Sequence, residues 1–182
     1  MYRIKWIFFL VVMAMVTACS PSRDKSASKI KAAEDRLYSP AAGYFNRASA
    51  DSLLRMYVDF MNRFPKDTLV PEILFKCGSM EMNLGEGDKA VSYFGRYIQD
   101  FPGKRRAPVC LFFQAYVYEN ILHKLDKAKE LYLNFAEKYP SHVLANDAKL
   151  AVENLGKSPE QMVREFEAKK ADSLKALQAR KK

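Results

Sequence analysis

The stretch DKAVSYFGRYIQDFP at residues 88–102 decides the fold, because a related stretch, DKAKELYLNFAEKYP, follows at residues 126–140. Both open with Asp-Lys-Ala, carry aromatic residues four and seven places after the Ala, and close on an aromatic-Pro pair. A poorer copy closes at Phe64-Pro65, so the closing pairs are 37 and 38 residues apart. A fixed period in this range is typical of stacked repeats, none of which can bury its apolar face alone.

The spacing of apolar residues predicts two helices in each repeat. Apolar side chains recur every three or four residues, and Gly85 and Pro102 interrupt the pattern at predicted helix ends. Asp88 and Asp126 are expected to cap the second helix of their repeats. The predicted helices span residues 71–84, 89–101, 108–122, 126–139 and 143–155, and a shorter one is expected within residues 30–44.

The pattern resembles the tetratricopeptide repeat, a helix pair with a small residue in the first helix, an Ala opening the second and a Pro at the close. Those positions hold Gly78 and Ala115, then Ala90 and Ala128, then Pro65, Pro102 and Pro140. The match covers residues 48–156, and it departs from the usual period of about 34 residues and from an early Trp, which is Leu74 and Leu111 here. The resemblance implies an all-α solenoid of antiparallel helix pairs.

The solenoid is assigned to residues 30–156, and residues 157–182 are predicted to form a C-terminal capping helix and a basic tail. Ser158, Pro159 and Gln161 fit a capping box with Pro in the first helical position. The side chains expected to cover the last repeat are Met162, Val163 and Phe166.

The first eighteen residues predict an export signal. Arg3 and Lys5 precede an almost entirely apolar run at residues 7–16, which is shorter than the about 20 residues of a transmembrane span. The run ends in VTAC at residues 16–19, which is similar to the lipobox of bacterial lipoproteins. That resemblance implies that Cys19 is acylated, with palmitate among its chains, and becomes the mature N-terminus. The alternative is an uncleaved anchor helix.

The residues after Cys19 predict where the protein resides. Ser20 stands where lipoproteins kept in the inner membrane carry Asp, so the resemblance implies a lipid-anchored outer-membrane protein that faces the periplasm. Residues 19–29 are polar and short-chained, and such a segment buries too little apolar surface to fold. They are predicted to be a flexible tether.

Composition argues against an enzyme, a metal site and a cofactor. The 182 residues include only two His, three Cys and seven Gly, and no Gly-rich phosphate loop or His-acid-nucleophile pattern occurs. Neither His123 nor His142 has a partner at ligand spacing. The net charge of +9 does not imply nucleic acid, because an exported protein does not meet it. The basic run at residues 104–106 could meet anionic lipid or an acidic partner, or be solvated surface.

Cys77 and Cys110 fall on the first helices of neighbouring repeats. An oxidising compartment permits a disulfide between them. However, neighbouring helix axes lie about 8–10 Å apart, and the two residues are offset by a helical turn. A disulfide and two buried thiols both remain open.

The resemblance also implies a partner-binding groove, because first-helix residues line the inner surface of such a solenoid. Aromatic and amide groups there suit a peptide or helix of another envelope protein. The alternative is that the two Phe residues pack between helices and each Asn helps to end a helix. The predicted groove residues are Phe75, Ser79, Met82, Asn83, Phe112, Tyr116, Glu119 and Asn120.

These expectations together describe a non-catalytic scaffold that is attached to the membrane through its N-terminal lipid. The lengthened repeat resembles periplasmic tetratricopeptide lipoproteins, which implies a part in outer-membrane protein assembly. The alternative within this class is cell-division or Tol-Pal coordination, although residues 20–47 lack the heptads of a coiled coil. A different class is a peptidoglycan- or glycan-binding protein that stacks sugars on Phe112, Phe113, Tyr116 and Tyr118.

Overall fold

The computed structural model describes residues 22–39 and 46–179, with side chains as far as residue 175. Within these ranges the chain forms eight helices and no strand, so the predicted all-α class is confirmed. The predicted signal at residues 1–18, and Cys19 with it, lie outside the described residues. The helices are α1 (Arg23–Leu37), α2 (Arg47–Arg63), α3 (Val70–Asn83), α4 (Gly87–Asp100), α5 (Ala107–Asn120), α6 (Leu125–Lys138), α7 (Ala145–Asn154) and α8 (Pro159–Ala179).

The chain divides into two compact units, with the boundary between Val70 and Pro71. In the first unit α1 packs against α2, which buries Leu53, Tyr57 and Phe60 almost completely. The Tyr57 hydroxyl donates to the carboxylate of Glu34 on α1 at 2.6 Å. This bond satisfies the one polar atom that the buried ring brings into the interface between the two helices.

Helix α1 begins earlier than the sequence predicts. Residues 23–29 were expected to belong to a flexible tether, whereas the helix starts at Arg23 with Ser22 as its N-cap. Arg23 donates to both carboxylate oxygens of Asp67, at 2.8 and 3.1 Å, and Ile30 is buried. The polar composition of this segment does not reveal Asp67, which lies 44 residues away and fixes the first turn.

In the second unit, a small residue on the first helix of each repeat lets an aromatic ring of the second helix pack closely against it. Gly78 on α3 lies against the ring of Phe94 on α4, since a Cβ placed on Gly78 would be 2.6 Å from that ring. The equivalent Ala115 on α5 shares a buried cluster with Ala128 and Tyr132 of α6. The small first-helix residue and the second-helix aromatic therefore meet in both repeats of this unit.

The second helices of these repeats are not capped as the sequence predicts. Helix α4 begins at Gly87 and α6 begins at Leu125, so Asp88 and Asp126 lie inside the first turn rather than at the N-cap. A carboxylate in the first turn still favours the helix, because it faces the positive end of the helix dipole. Neither N-cap residue makes a side-chain capping bond.

The predicted capping box at the start of α8 is confirmed, whereas the predicted covering of the last repeat differs from the structure. The Ser158 N–H donates to Gln161 Oε1 at 2.9 Å, and the Gln161 N–H donates to Ser158 Oγ at 3.3 Å. Met162, Val163 and Phe166 remain 37, 56 and 69% exposed. An ion pair between Lys157 and Glu165 (2.6 Å) braces the start of this helix.

Candidate functional site

The predicted groove residues lie on α3 and α5, and the structure separates them into two groups. Asn83, Tyr116 and Asn120 are exposed, and Tyr116 has 43% of its surface accessible. The remaining residues are half-buried and make contacts within the second unit. This half-buried group consists of Phe75, Ser79, Met82, Phe112 and Glu119.

Phe75 packs inside the second unit between α3, α4 and α5. Its ring lies 6.2 Å from that of Phe94 and 6.1 Å from that of Phe113, measured between centroids. The guanidinium of Arg106 lies over the Phe75 ring, 4.1 Å from its centroid. Arg106 also donates to both oxygens of Glu72, at 2.9 and 3.0 Å. These contacts give Phe75 a structural role and leave part of the ring accessible.

Phe112 makes the equivalent packing contacts one repeat later. Its ring meets Tyr132 and Phe135 of α6 edge-on, with centroids 5.4 and 5.6 Å apart. Edge-to-face pairs at these distances are the favoured arrangement of aromatic rings. Of the two readings of the Phe pair, packing between helices is the one that the structure displays.

Glu119 is held by a hydrogen bond rather than presented freely. The Tyr132 hydroxyl donates to Glu119 Oε2 at 2.8 Å, which joins α5 to α6. Burial, and then the bond to this carboxylate, raise the pKa of Tyr132 well above its ordinary range. The hydroxyl is therefore the donor in this bond at neutral pH.

The two remaining half-buried residues, Ser79 and Met82, offer few hydrogen-bonding groups to a partner. Ser79 Oγ is buried and has no hydrogen-bond partner within the described ranges. Met82 offers a flexible apolar side chain, a type that adapts to irregular surfaces. Neither residue points to a defined chemical step.

The exposed group is what a partner could reach. Asn83 and Asn120 end α3 and α5 at equivalent positions of their repeats, and Tyr116 lies one turn before Asn120. Asn120 Nδ2 donates to the carbonyl oxygen of Tyr116 at 3.1 Å, so its side-chain oxygen remains the accessible acceptor. An amide and a phenol side by side can bond a backbone and cover apolar area. We call Asn83, Tyr116 and Asn120 the exposed face.

The predicted sugar-stacking platform is not formed as expected. Of the four aromatic residues proposed for it, only Tyr116 is exposed, whereas Phe112, Phe113 and Tyr118 are half-buried. Phe113 stacks against Phe75, and Phe112 packs on α6. Only the Tyr116 ring is therefore exposed enough for a sugar to stack on it.

Cys77 and Cys110 are free thiols, and both are fully buried. Burial raises the pKa of each thiol to about 12, which keeps both protonated and chemically inert at neutral pH. Of the two readings of this pair, the structure has two buried thiols and no disulfide.

The two histidines lie in the connections on either side of α6. His123 is exposed in a turn, with a positive φ of 53°. His142 is half-buried: its Nδ1 accepts from the Leu144 N–H at 3.2 Å, and its ring meets Phe135 edge-on at 5.4 Å. Across residues 22–39 and 46–179, no three His, Cys, Asp or Glu side chains are grouped as metal ligands.

Two residues outside the predicted groove tie the start and the middle of α5 to α3 and α4. Arg106 was treated only as part of a basic run, although it clamps Glu72 and covers Phe75. Gln114 donates from Nε2 to the Val91 carbonyl oxygen at 3.0 Å and thereby ties α5 to α4. The sequence holds one signal of this bond, which is Gly95 inside α4. Gly in a helix interior is destabilising relative to Ala, and here the missing side chain leaves room for the Gln114 amide.

No known protein family matches this chain, and no curated protein has a significantly similar sequence. In the part of the chain that the structure describes, no helix has both the length and the apolar character needed to cross a bilayer.

Proposed function

We propose that this protein is a non-catalytic, lipid-anchored scaffold of the bacterial cell envelope. Its exposed face binds a segment of another envelope protein. The observation that carries this proposal is the recurrence of an exposed Asn at the same position of consecutive first helices, Asn83 and Asn120, with Tyr116 beside the second. Repeated amides at a helical-repeat spacing suit the backbone of an extended or helical segment.

The tetratricopeptide-like character of the solenoid is part of the proposal. Two contacts support it: Gly78 against Phe94 in one repeat, and Ala115 with Tyr132 in the next. Both join the small residue of a first helix to the aromatic residue of its second helix. The closing Pro after each second helix follows the same period in the sequence.

The membrane attachment rests on the lipobox-like residues 16–19. Acylated Cys19 would hold the protein at the outer membrane, facing the periplasm, and several acyl chains anchor firmly where one binds only marginally. Replacement of Cys19 by Ser should abolish incorporation of labelled palmitate and move the protein to the soluble fraction. Unchanged membrane attachment would contradict the lipid anchor.

Within this class we favour a part in outer-membrane protein assembly, with cell-division or Tol-Pal coordination as the alternative. The test is capture from cross-linked cells with a C-terminal tag, followed by identification of the co-purifying envelope proteins. Barrel-assembly components should be captured by the wild type and lost from a Tyr116→Ala/Asn120→Ala variant. Division or peptidoglycan proteins captured in their place would contradict the assembly role.

A matched control variant shows whether the loss of captured proteins is specific to the exposed face. Leu133 and Asn134 are an exposed apolar residue and an exposed amide on α6, a second helix. The Leu133→Ala/Asn134→Ala variant removes similar chemistry away from the exposed face, so capture should be retained. Equal loss in both double variants would show that the face on α3 and α5 has no special role.

A further inference from the structure

The first unit contains a cleft between α1 and α2 that the scaffold role does not use. Its volume is about 490 Å³. Lys29 of α1 and Arg55 and Arg63 of α2 line it, together with a single acid, Asp59. We call this feature the basic cleft.

The charges of the basic cleft are only partly neutralised. Arg63 is paired with Asp59 at 3.0 Å. Lys29 and Arg55 are exposed and have no carboxylate partner within the described residues. The lining therefore keeps an excess of two positive charges, and these come from opposite walls. Such an arrangement favours a compact anion bound between the walls.

The remaining lining residues add to the same chemistry. Ser26 of α1 and Ser52 of α2 carry hydroxyl groups, which can donate to an anionic oxygen. Ile30 and Met56 supply an apolar surface in the same cleft. A phosphate ester joined to a glycerol or acyl group presents this combination of a charged head and an apolar continuation. Arg and Lys together are the usual protein partners of phosphate oxygens.

The position of the cleft in the chain favours a membrane lipid as the source of the phosphate. Helix α1 begins at Arg23, so four residues separate the proposed acylated Cys19 from the first helical residue, counting Cys19 itself. Four residues span at most about 14 Å, and a helix rises about 1.5 Å per residue. Ser26 and Lys29 therefore stay within about 25 Å of the anchoring point.

We propose that the basic cleft binds the phosphate of an anionic membrane-lipid headgroup. Lys29 and Arg55 hold the phosphate oxygens from the two walls, and Ile30 and Met56 contact the apolar part of the lipid. Bound in this way, the lipid fixes how the first unit meets the membrane. The choice of a membrane source rests on the proposed anchor at Cys19, whereas the cleft itself does not depend on it.

Vesicle flotation tests the proposal. The mature chain, residues 19–182 with Cys19→Ser, is mixed with vesicles of phosphatidylcholine alone or with added phosphatidylglycerol. Binding should require phosphatidylglycerol and should fall about tenfold or more in a Lys29→Ala/Arg55→Ala variant, because each cation near an anionic surface adds substantially to affinity. Both side chains are exposed, so circular dichroism should show unchanged helix content.

A charge-matched control separates the cleft from general attraction. Lys104 and Arg105 are exposed in the loop before α5, and Lys104→Ala/Arg105→Ala changes the net charge equally. This control should keep most of the wild-type binding, because it removes the same charge but leaves the lining of the basic cleft unchanged. Equal losses in the two variants, or no binding to anionic vesicles, would overturn the proposal.

A soluble phosphate ester is the other source of the same chemistry. Glycerol 3-phosphate should perturb the amide resonances of α1 and α2 only at millimolar concentration, because it lacks the apolar part of the lipid. Tight binding of this compound without vesicle flotation would overturn the membrane source. Since the flotation assay uses a chain without acylation, its failure is distinguishable from failure of Cys19 to incorporate palmitate.

Discussion

Tyr132 on α6 donates its hydroxyl hydrogen to the carboxylate of Glu119 on α5 at 2.8 Å. The Tyr132 ring is almost completely buried, whereas Glu119 is only half-buried. The bond therefore links a buried residue of α6 to a partly exposed residue of α5. Glu119, which was predicted to contact a partner, therefore helps to hold α5 against α6.

Replacing Tyr132 by Phe should reduce the free energy of unfolding by about 1–2 kcal/mol, because Glu119 loses a donor in a half-buried site. Urea unfolding followed by circular dichroism measures the change. Tyr116→Phe removes a hydroxyl from an exposed ring and should change the stability by less than about 0.5 kcal/mol. A Tyr132→Phe variant as stable as the wild type would show that the bond contributes nothing.

Gly78→Ala should destabilise the second unit by about 1–3 kcal/mol, because the new methyl group meets the ring of Phe94. Helix propensity alone predicts the opposite, a gain of about 1 kcal/mol. The sign of the change in urea therefore decides between the two effects. Gly103→Ala is the control, since a Cβ there has no neighbour within 4 Å.

The helix pairs were predictable from the sequence because periodicity and interrupting residues act locally. The helix predicted at 71–84 is Val70–Asn83, and the one predicted at 126–139 is Leu125–Lys138. The start of α1 was not predictable, because Arg23 depends on Asp67 far along the chain. Helical position placed Phe75 and Phe112 on the first helices, but it could not reveal the rings of α4, α5 and α6 that enclose them.

Asp67→Asn should loosen the start of α1. The bond from Arg23, and then the Leu69 N–H, hold the pKa of the Asp67 carboxyl below its ordinary value. Its contribution to stability is therefore complete above the unfolded-state pKa and is lost as the pH falls through the depressed one. Hydrogen exchange of the first α1 amides should be faster in the variant at pH 7. In the wild type the protection factors of these amides, each taken relative to the unprotected amide at the same pH, should fall to those of the variant only in acid.

A matched variant tests whether this effect is specific. Lys31 and Asp35 form an exposed ion pair within α1 at 3.3 Å. Asp35→Asn should leave the exchange of the first turn unchanged, since exposed pairs of this kind contribute little. Faster exchange in Asp35→Asn than in Asp67→Asn would contradict the clamp between Arg23 and Asp67.

The buried thiols predict a loss of stability in alkali. Burial raises the folded-state pKa of Cys77 and Cys110 to about 12 from 9.0. Their contribution is therefore present below the unfolded value and is lost as the pH rises through the interval between the two. The free energy of unfolding should therefore fall more steeply between pH 9.0 and about 12 than it does in a Cys77→Ala/Cys110→Ala variant. Equal slopes would contradict the shifted thiols.

The central claim is that the exposed face on α3 and α5 binds another envelope protein. The most direct measurement is photo-cross-linking in intact cells, with a benzophenone amino acid placed at Tyr116 or, as control, at Leu133. We expect a discrete cross-linked product of one partner from position 116 and none from position 133. Cross-linking from position 133 alone, or identical products from both positions, would contradict it.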